Sequence, residues 1–278
     1  MTVTIAQAQA ASALEATDAR VLLRHALGVD AVYLIAHAGD ALKAEQQKQF
    51  AALAERRRAG EPGAYITGTR EFYGLEFAVT PAVLIPRPET ELLVEWALEH
   101  IAPAAQPRVL DLGTGSGCIA LSLAHERPRA QLCAVDCSEA ALDVARSNAQ
   151  RHRIGNVTFL HSDWFAALGT QRFDCIVSNP PYIAAGDAHL AQGDLRFEPA
   201  GALSSGKDGL DAICLIVTAA PQYLQAGGWL VFEHGYDQAA RCRARLEAAG
   251  FTQVFSHCDL AGIERISGGR LDAIPSKS

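Results

Sequence analysis

The chain has no Cys-x-x-Cys pair, no Gly-Lys-Ser or Gly-Lys-Thr, no surplus of basic residues and no long unbroken apolar run. Each lack removes a class of function. The seven cysteines (Cys118, Cys133, Cys137, Cys175, Cys214, Cys242 and Cys258) are odd in number and scattered, mostly in apolar surroundings. They read as reduced core thiols of a cytoplasmic protein rather than a disulfide frame. Cys133 and Cys137 are the closest pair, but no histidine or second pair completes a zinc site, so no metal is expected. Without a Gly-Lys-Ser or Gly-Lys-Thr the chain has no phosphate-binding P-loop. A net charge of −7 weighs against broad affinity for nucleic-acid backbones, leaving room only for a local basic patch. The longest uncharged stretch runs from Ala212 to Phe232. Pro221, Gln222, Gln225 and the Gly227-Gly228 pair divide it into a helix, a turn and a strand, so no membrane span is expected. The N-terminus shows neither the basic nor the apolar part of a secretion signal. The sequon Asn156-Val157-Thr158 is therefore read as the beginning of a strand.

What is present is ordinary globular composition, 49% apolar and 20% charged, over a length of 278 residues that predicts two domains. Residues from Thr4 to about Gly60 are Ala-rich and helical in pattern. Asp18 is expected to cap a helix ending at Leu27, with Gly28 as its stop. Asp30 and Gly39 bracket a second helix, and a longer one from about Lys43 ends in a solvated Arg56-Arg57-Arg58 run that complements the helix dipole. Phe72, Tyr73, Phe77 and Val79 around Gly74 predict a hairpin. Pro81, Pro86 and Pro88 then stiffen the passage into a helix that starts at Glu89-Thr90-Glu91. The predicted domains are a helical bundle over residues 1–69, a hairpin linker over 70–87 and an α/β domain over 88–278. In the last, strands and helices alternate, which implies a mostly parallel sheet with right-handed crossovers. The predicted strands are Arg108 to Leu112, Gln131 to Asp136, Val157 to His161, Phe173 to Ser178 and Gly228 to Glu233. A closing pair is expected at Thr252 to His257 and Glu264 to Ser267, giving seven strands.

Four strand ends carry the chemistry. The first runs into Gly113-Thr114-Gly115-Ser116-Gly117, where glycines let backbone turn tightly and approach a ligand. The second ends at Asp136, about 20 residues on, where a carboxylate accepts bonds from both ribose hydroxyls. The third ends in Asp163-Trp164, a carboxylate for an adenine amino group and an indole to pack on its ring. Together they outline a nucleoside site, and the Gly-x-Gly-x-Gly spacing differs from the Gly-x-Gly-x-x-Gly of dinucleotide enzymes. The fourth strand ends in Asn179-Pro180-Pro181-Tyr182. Two prolines cannot continue a strand, so this is a stiff loop at the carboxyl edge of the sheet. The Asn179 side-chain oxygen and the Pro180 carbonyl each accept one N–H bond, and Tyr182 offers a flat face. That set suits a planar carboxamide or an aromatic amine, whose nitrogen is a poor nucleophile until it is held.

Val109-Leu110-Asp111-Leu112 with the glycine run resembles the first motif of class I methyltransferases that use S-adenosylmethionine. Asn179-Pro180-Pro181-Tyr182 resembles the motif of those that methylate amide or amino nitrogens. The closer similarity is to the protein-glutamine methyltransferases of bacterial peptide-chain release factors, the PrmC/HemK family. It is carried further by Gly60-Glu61-Pro62, Tyr65-Ile66-Thr67-Gly68, Leu84 to Glu91, Arg196-Phe197-Glu198-Pro199, Asp208-Gly209-Leu210, and Glu233-His234-Gly235 with Gln238. The resemblance implies a Rossmann-like sheet and an N-terminal substrate-recognition domain. It implies S-adenosylmethionine held by Gly113, Thr114, Gly115, Ser116, Gly117, Asp136, Asp163, Trp164 and Asn179. It also implies methyl transfer to a glutamine amide bound at Asn179, Pro180, Pro181 and Tyr182, with Asn179, Pro180 and Tyr182 catalytic. The partners it implies are class I release factors, met by a monomer with no direct nucleic-acid or membrane contact.

Three rivals stand beside it. A nucleic-acid amino-methyltransferase would use the same loop for adenine or guanine but would want a basic groove and stacking aromatics. A non-catalytic adaptor would not need intact motifs. A nicotinamide enzyme fits Asp136 but not the glycine spacing. Arg87, Glu198 and Glu233 are read as open between site and structural roles, and His161 and His234 as structural.

Overall fold

The computed structural model describes residues 3–101 and 106–272. By clustering of contacts the chain divides into two units, Met1–Thr69 with Gln192–Phe197, and Arg70–Ala191 with Glu198–Ser278.

The first unit is built from helices α1 (Ile5–Ala11), α2 (Ala16–Leu27), α3 (Ala31–Ala36), α4 (Ala44–Arg58) and α5 (Gly63–Thr67). Thr4 caps α1 in a reciprocal box with Gln7, and Asp30 caps α3 by accepting the Tyr33 N–H at 2.7 Å. Gly28, left-handed at φ 66°, stops α2. Ile5, Leu22, Leu23, Leu34, Phe50, Leu53 and Ile66 meet in one core. Each such side chain contributes roughly 1.5–3 kcal/mol by leaving water. Two expectations change here. Asp18 lies inside the first turn of α2 rather than capping it, and accepts from Arg57 Nε at 2.6 Å. The second changes in part: the arginine run is exposed at Arg56 and Arg58, as a solvated end should be, but Arg57 also binds Asp194 at 2.9 Å and Arg56 forks onto Glu61. Helix α5 was not foreseen, because Gly63 and the five-residue length leave no apolar period to read.

The second unit opens with the hairpin β1 (Thr69–Phe72) and β2 (Leu75–Ala78), then α6 (Glu91–His100), β3 (Arg108–Leu112), α7 (Cys118–Glu126), β4 (Gln131–Asp136), α8 (Glu139–His152), β5 (Val157–His161) and β6 (Phe173–Ser178). It continues with α9 (Ala200–Leu203), α10 (Asp211–Ala219), β7 (Leu224–Glu233), α11 (Ala239–Ala248), β8 (Thr252–Cys258) and β9 (Glu264–Arg270). The seven strands of the large sheet lie in the order β5-β4-β3-β6-β7-β9-β8. Every pairing is parallel except those of β9, which runs against both β7 and β8. This is the predicted mostly parallel sheet. Strand β7 starts earlier than expected, at Leu224, because the Gly227-Gly228 pair is accommodated within it, beside a register shift against β6.

Alternate residues serve the two faces of the sheet, as the two-residue period of a strand requires. Val109, Leu132, Ala134, Cys175 and Val177 join the core that holds Leu93 and Trp96 of α6 and Ile119 and Leu123 of α7. Leu110, Leu112, Cys133, Val135 and Ile176 join the other, with Ile213 and Ile216 of α10 and Leu246 of α11. The connection from β3 goes to β4 on one side, while β6 flanks β3 on the other. That reversal of direction opens a crevice at the carboxyl ends of these strands.

Candidate active site

Gly113, Gly115 and Gly117 all have positive φ, at 73°, 56° and 82°. Their reasons for being glycine differ. A Cβ at Gly117 would stand 3.0 Å from Leu121 and 3.1 Å from Ala145, so this glycine lets α7 and α8 approach. A Cβ at Gly115 would meet nothing within 4 Å, and one at Gly113 only Trp164 at 3.8 Å. These two face open space, lining a cavity of about 360 Å3. The turn is held from behind. Gly113 and Thr114 both donate to the Val135 carbonyl at 2.9 Å, and Thr114 Oγ1 donates to Asp111 Oδ2 at 2.6 Å. Asp111 is fully buried; desolvation pushes its carboxyl up to about 7, against the opposing hydrogen bonds from Thr114 and the Ala120 backbone.

Asp136, at the end of β4, accepts the Gly115 N–H at 2.9 Å through Oδ2 and the Ser138 N–H at 2.9 Å through Oδ1. A carboxylate has about four acceptor positions, so both oxygens keep capacity for a ligand. Asp163 and Trp164 follow β5 on the same cavity. Trp164 sits at φ 48°, a conformation costly for a bulky residue. Ser162 stabilises it: its Oγ donates to the Trp164 carbonyl at 2.8 Å and accepts the Ala167 N–H at 3.0 Å.

Asn179 follows β6 and lines the cavity that the glycine turn lines. Its Nδ2 donates to Thr90 Oγ1 at 3.1 Å. Thr90 donates to Glu233 Oε2 at 2.6 Å, and the Tyr182 hydroxyl donates to Glu233 Oε1 at 3.0 Å. Thr90 and Glu233 are both 2% exposed. The neighbouring Glu233 charge, with burial, drives the Tyr182 phenol well above its ordinary value. The loop is braced behind: Gln238 Nε2 donates to the Tyr182 carbonyl at 3.0 Å, and a Cβ on Gly209 would fall 2.1 Å from that same oxygen. A buried Glu198 accepts the Ile85 N–H at 3.0 Å and pairs with Arg87, pinning the segment that forms another wall of the cavity.

Of the residues singled out from the sequence, Gly113, Thr114, Gly115, Ser116, Asp136, Asp163, Trp164, Asn179 and Pro181 line this one cavity. Gly117, Pro180 and Tyr182 do not; Pro180 is buried and Tyr182 packs against the core beneath. Arg87 lines the cavity and pins the linker at once, whereas Glu198 and Glu233 are buried struts. His161 bonds the Cys137 carbonyl at 2.8 Å, and His234 lies between the Gly235 carbonyl and Ser267 at 2.9 and 2.8 Å. Leu84, Thr90 and Pro199 also line the cavity, and the sequence alone assigns them no role there. Thr90 had one weak signal, its place at the start of a helix after Pro88-Glu89.

The donor set fits a nucleoside-bearing cofactor. Two glycines present bare backbone, Asp136 keeps free lone pairs, and an indole held at a strained φ stands over Gly113. Among the described residues no group of His, Cys, Asp or Glu is arranged to hold a metal.

The family model for the PrmC N-terminal domain matches residues 4–68, and that for the methyltransferase small domain matches 89–206. The chain is 57% identical over 274 residues to the release factor glutamine methyltransferase of Burkholderia pseudomallei, covering 96% of each. It is 46% identical to that of Escherichia coli, covering 91% of each. Among solved structures, the T. thermophilus 16S rRNA methyltransferase RsmC in complex with AdoMet and guanosine superposes with a TM-score of 0.54 at 23% identity, over 73% of this chain and 49% of that one. This last likeness shows the class I methyltransferase fold alone. With identities of 44–57% to eight such relatives over nearly its whole length, the chain belongs to the family of release factor glutamine methyltransferases.

Proposed function

We propose that this protein transfers a methyl group from S-adenosylmethionine to the side-chain amide nitrogen of a glutamine in peptide chain release factors. The observation that carries it is the sharing of one cavity by the glycine turn and Asn179. Family membership supplies the substrate class. S-adenosylmethionine brings an electrophilic methyl on a sulfonium and leaves as a neutral thioether, so little acid–base machinery is required. The backbone of Gly113 to Ser116, Asp136, Asp163 and Trp164 hold it. The Asn179 Oδ1 accepts one N–H bond of the glutamine amide, and the Pro180 carbonyl, on a residue outside the cavity lining, is assigned the other from the family resemblance alone. They fix its nitrogen and stabilise the positive charge that grows there. Tyr182, tied to Glu233, stiffens the loop. Placement of this kind supplies about 7–11 kcal/mol in favourable cases. The proton released from the methylated amide passes to water.

The domain roles follow: the helical unit recognises the release factor, while the second unit, whose Leu84 and Arg87 also wall the cavity, holds the cofactor and performs the transfer. The protein acts in the cytoplasm as a monomer, without direct nucleic-acid contact. Among the described residues no helix is long and apolar enough to cross a membrane. The test is to incubate the protein with methyl-labelled cofactor and, separately, release factors, tRNA, rRNA and DNA. Label on one release-factor glutamine is expected. Label on a nucleobase would replace this reading with the amino-methyltransferase one.

A further inference from the structure

Thr90 and Glu233 are buried polar groups that the transfer itself does not use, and they come from positions 143 residues apart in the chain. We propose that they form a relay that fixes which end of the Asn179 amide faces the cavity, and thereby makes the site accept a carboxamide and reject a carboxylate. The inference rests on the function proposed above.

The orientation follows from counting protons. Glu233 receives two hydroxyl donors, Thr90 at 2.6 Å and Tyr182 at 3.0 Å. A carboxylate only accepts, and a threonine hydroxyl has a single hydrogen. Burial raises the Glu233 carboxyl against the two hydroxyls and Arg265; its part as an acceptor rests on the geometry, one hydroxyl donor on each oxygen. With the Thr90 hydrogen committed to Glu233, Thr90 Oγ1 offers Asn179 only lone pairs. The Asn179 atom 3.1 Å away is therefore the Nδ2 donor, and Oδ1 is the end left for a ligand. A turned amide would set oxygen against oxygen in a buried place and lose that bond.

This matters for selection. A glutamine amide brings an N–H donor to the Asn179 Oδ1. A glutamate in its place, the product of deamidation, brings only lone pairs to the same acceptor. A site able to turn Asn179 would greet that carboxylate with N–H instead. A rigid acceptor rejects it, as sites with fixed polar groups reject ligands that leave them unpaired.

The test uses the full-length enzyme and two peptides that differ only in Gln or Glu at the methylated position. The glutamate peptide is measured as a competitor of the glutamine one. Wild type is expected to prefer the glutamine peptide by at least about tenfold. Thr90→Val, which keeps the shape but removes the hydroxyl, is expected to erase most of that preference and lower kcat about tenfold, with cofactor Kd within twofold. Thr90→Ser is expected to restore both to within about threefold, since it keeps the hydroxyl. Glu233→Leu removes the acceptor, frees the Thr90 hydrogen for Asn179, and should likewise relax the preference. A wild type without preference would overturn the underlying reading and the relay together. A wild type with preference, and an equal preference in whichever of T90V and E233L folds, would overturn the relay alone.

Discussion

Among the described residues, the side-chain amide of Asn179 is gripped at its nitrogen by Thr90 at 3.1 Å. Replacing Asn179 by Ala removes one preorganised acceptor and should lower single-turnover methyl transfer about 100-fold or more. Calorimetry should find cofactor affinity little changed. Asp136→Ala should show the opposite pattern, weakened cofactor affinity, because its carboxylate lines the proposed cofactor side of the cavity, as Asp163 does, and also holds the Gly115 N–H. Asp111 gives a pH prediction. Its carboxyl is raised from 3.8 to about 7 in the folded chain, so the native state keeps a proton that the unfolded state has released. The stability it contributes is full below pH 3.8 and is lost as pH rises through about 7. Asp111→Asn should therefore match wild type near pH 4 and exceed it near pH 8, by a margin on the order of a few kcal/mol. Paired thermal melts of the ligand-free proteins across that range check this; parallel curves would refute it.

Among elements, the loop after β6 depends on the turn at Gly209. A Cβ there would meet the Tyr182 carbonyl at 2.1 Å, and the residue sits at φ 78°. Gly250 has φ 86° but nothing within 4 Å of its Cβ, so it isolates the conformational cost from the collision. Gly250→Ala should cost about 1–2 kcal/mol and leave activity intact. Gly209→Ala should cost more, lower Tm by roughly 4–8 °C and slow methyl transfer as well. Equal effects on turnover would separate the loop from this brace. The parallel strands are legible because each carries an apolar run that stops at or near a glycine, proline or acidic residue. The glycine turn, Asp136, Asp163-Trp164 and Asn179 were legible because each lies at a strand end, where topology alone places ligands. The Thr90–Glu233–Tyr182 network was not, since its members come from three separate elements and only the sheet order brings them together. Asp18 was misjudged for a related reason: as a cap it needed only its own helix, whereas its observed partner, Arg57, lies 39 residues on.

For the molecule as a whole, the helical unit does not consist of the N-terminal residues alone. It includes Gln192–Phe197, and Arg57 ties that segment to α2 through Asp194 at 2.9 Å and Asp18 at 2.6 Å. Partly exposed ion pairs are each worth only about 0–1 kcal/mol. Arg57→Ala should thus hardly change Tm but should free the segment, which limited proteolysis would report as faster cleavage between 186 and 197. An unchanged cleavage rate would mean the ion pairs do not anchor it.

The route of the chain has a consequence for dissecting the gene. Six residues encoded in the second half of the reading frame cluster with the bundle encoded at its start. No single cut yields both parts whole: a fragment beginning at Arg70 carries a tether cut off from the bundle it clusters with, and one ending at Thr69 lacks its own last piece. A recombinant exchange of the bundle between relatives would have to move both stretches together, as one split cassette.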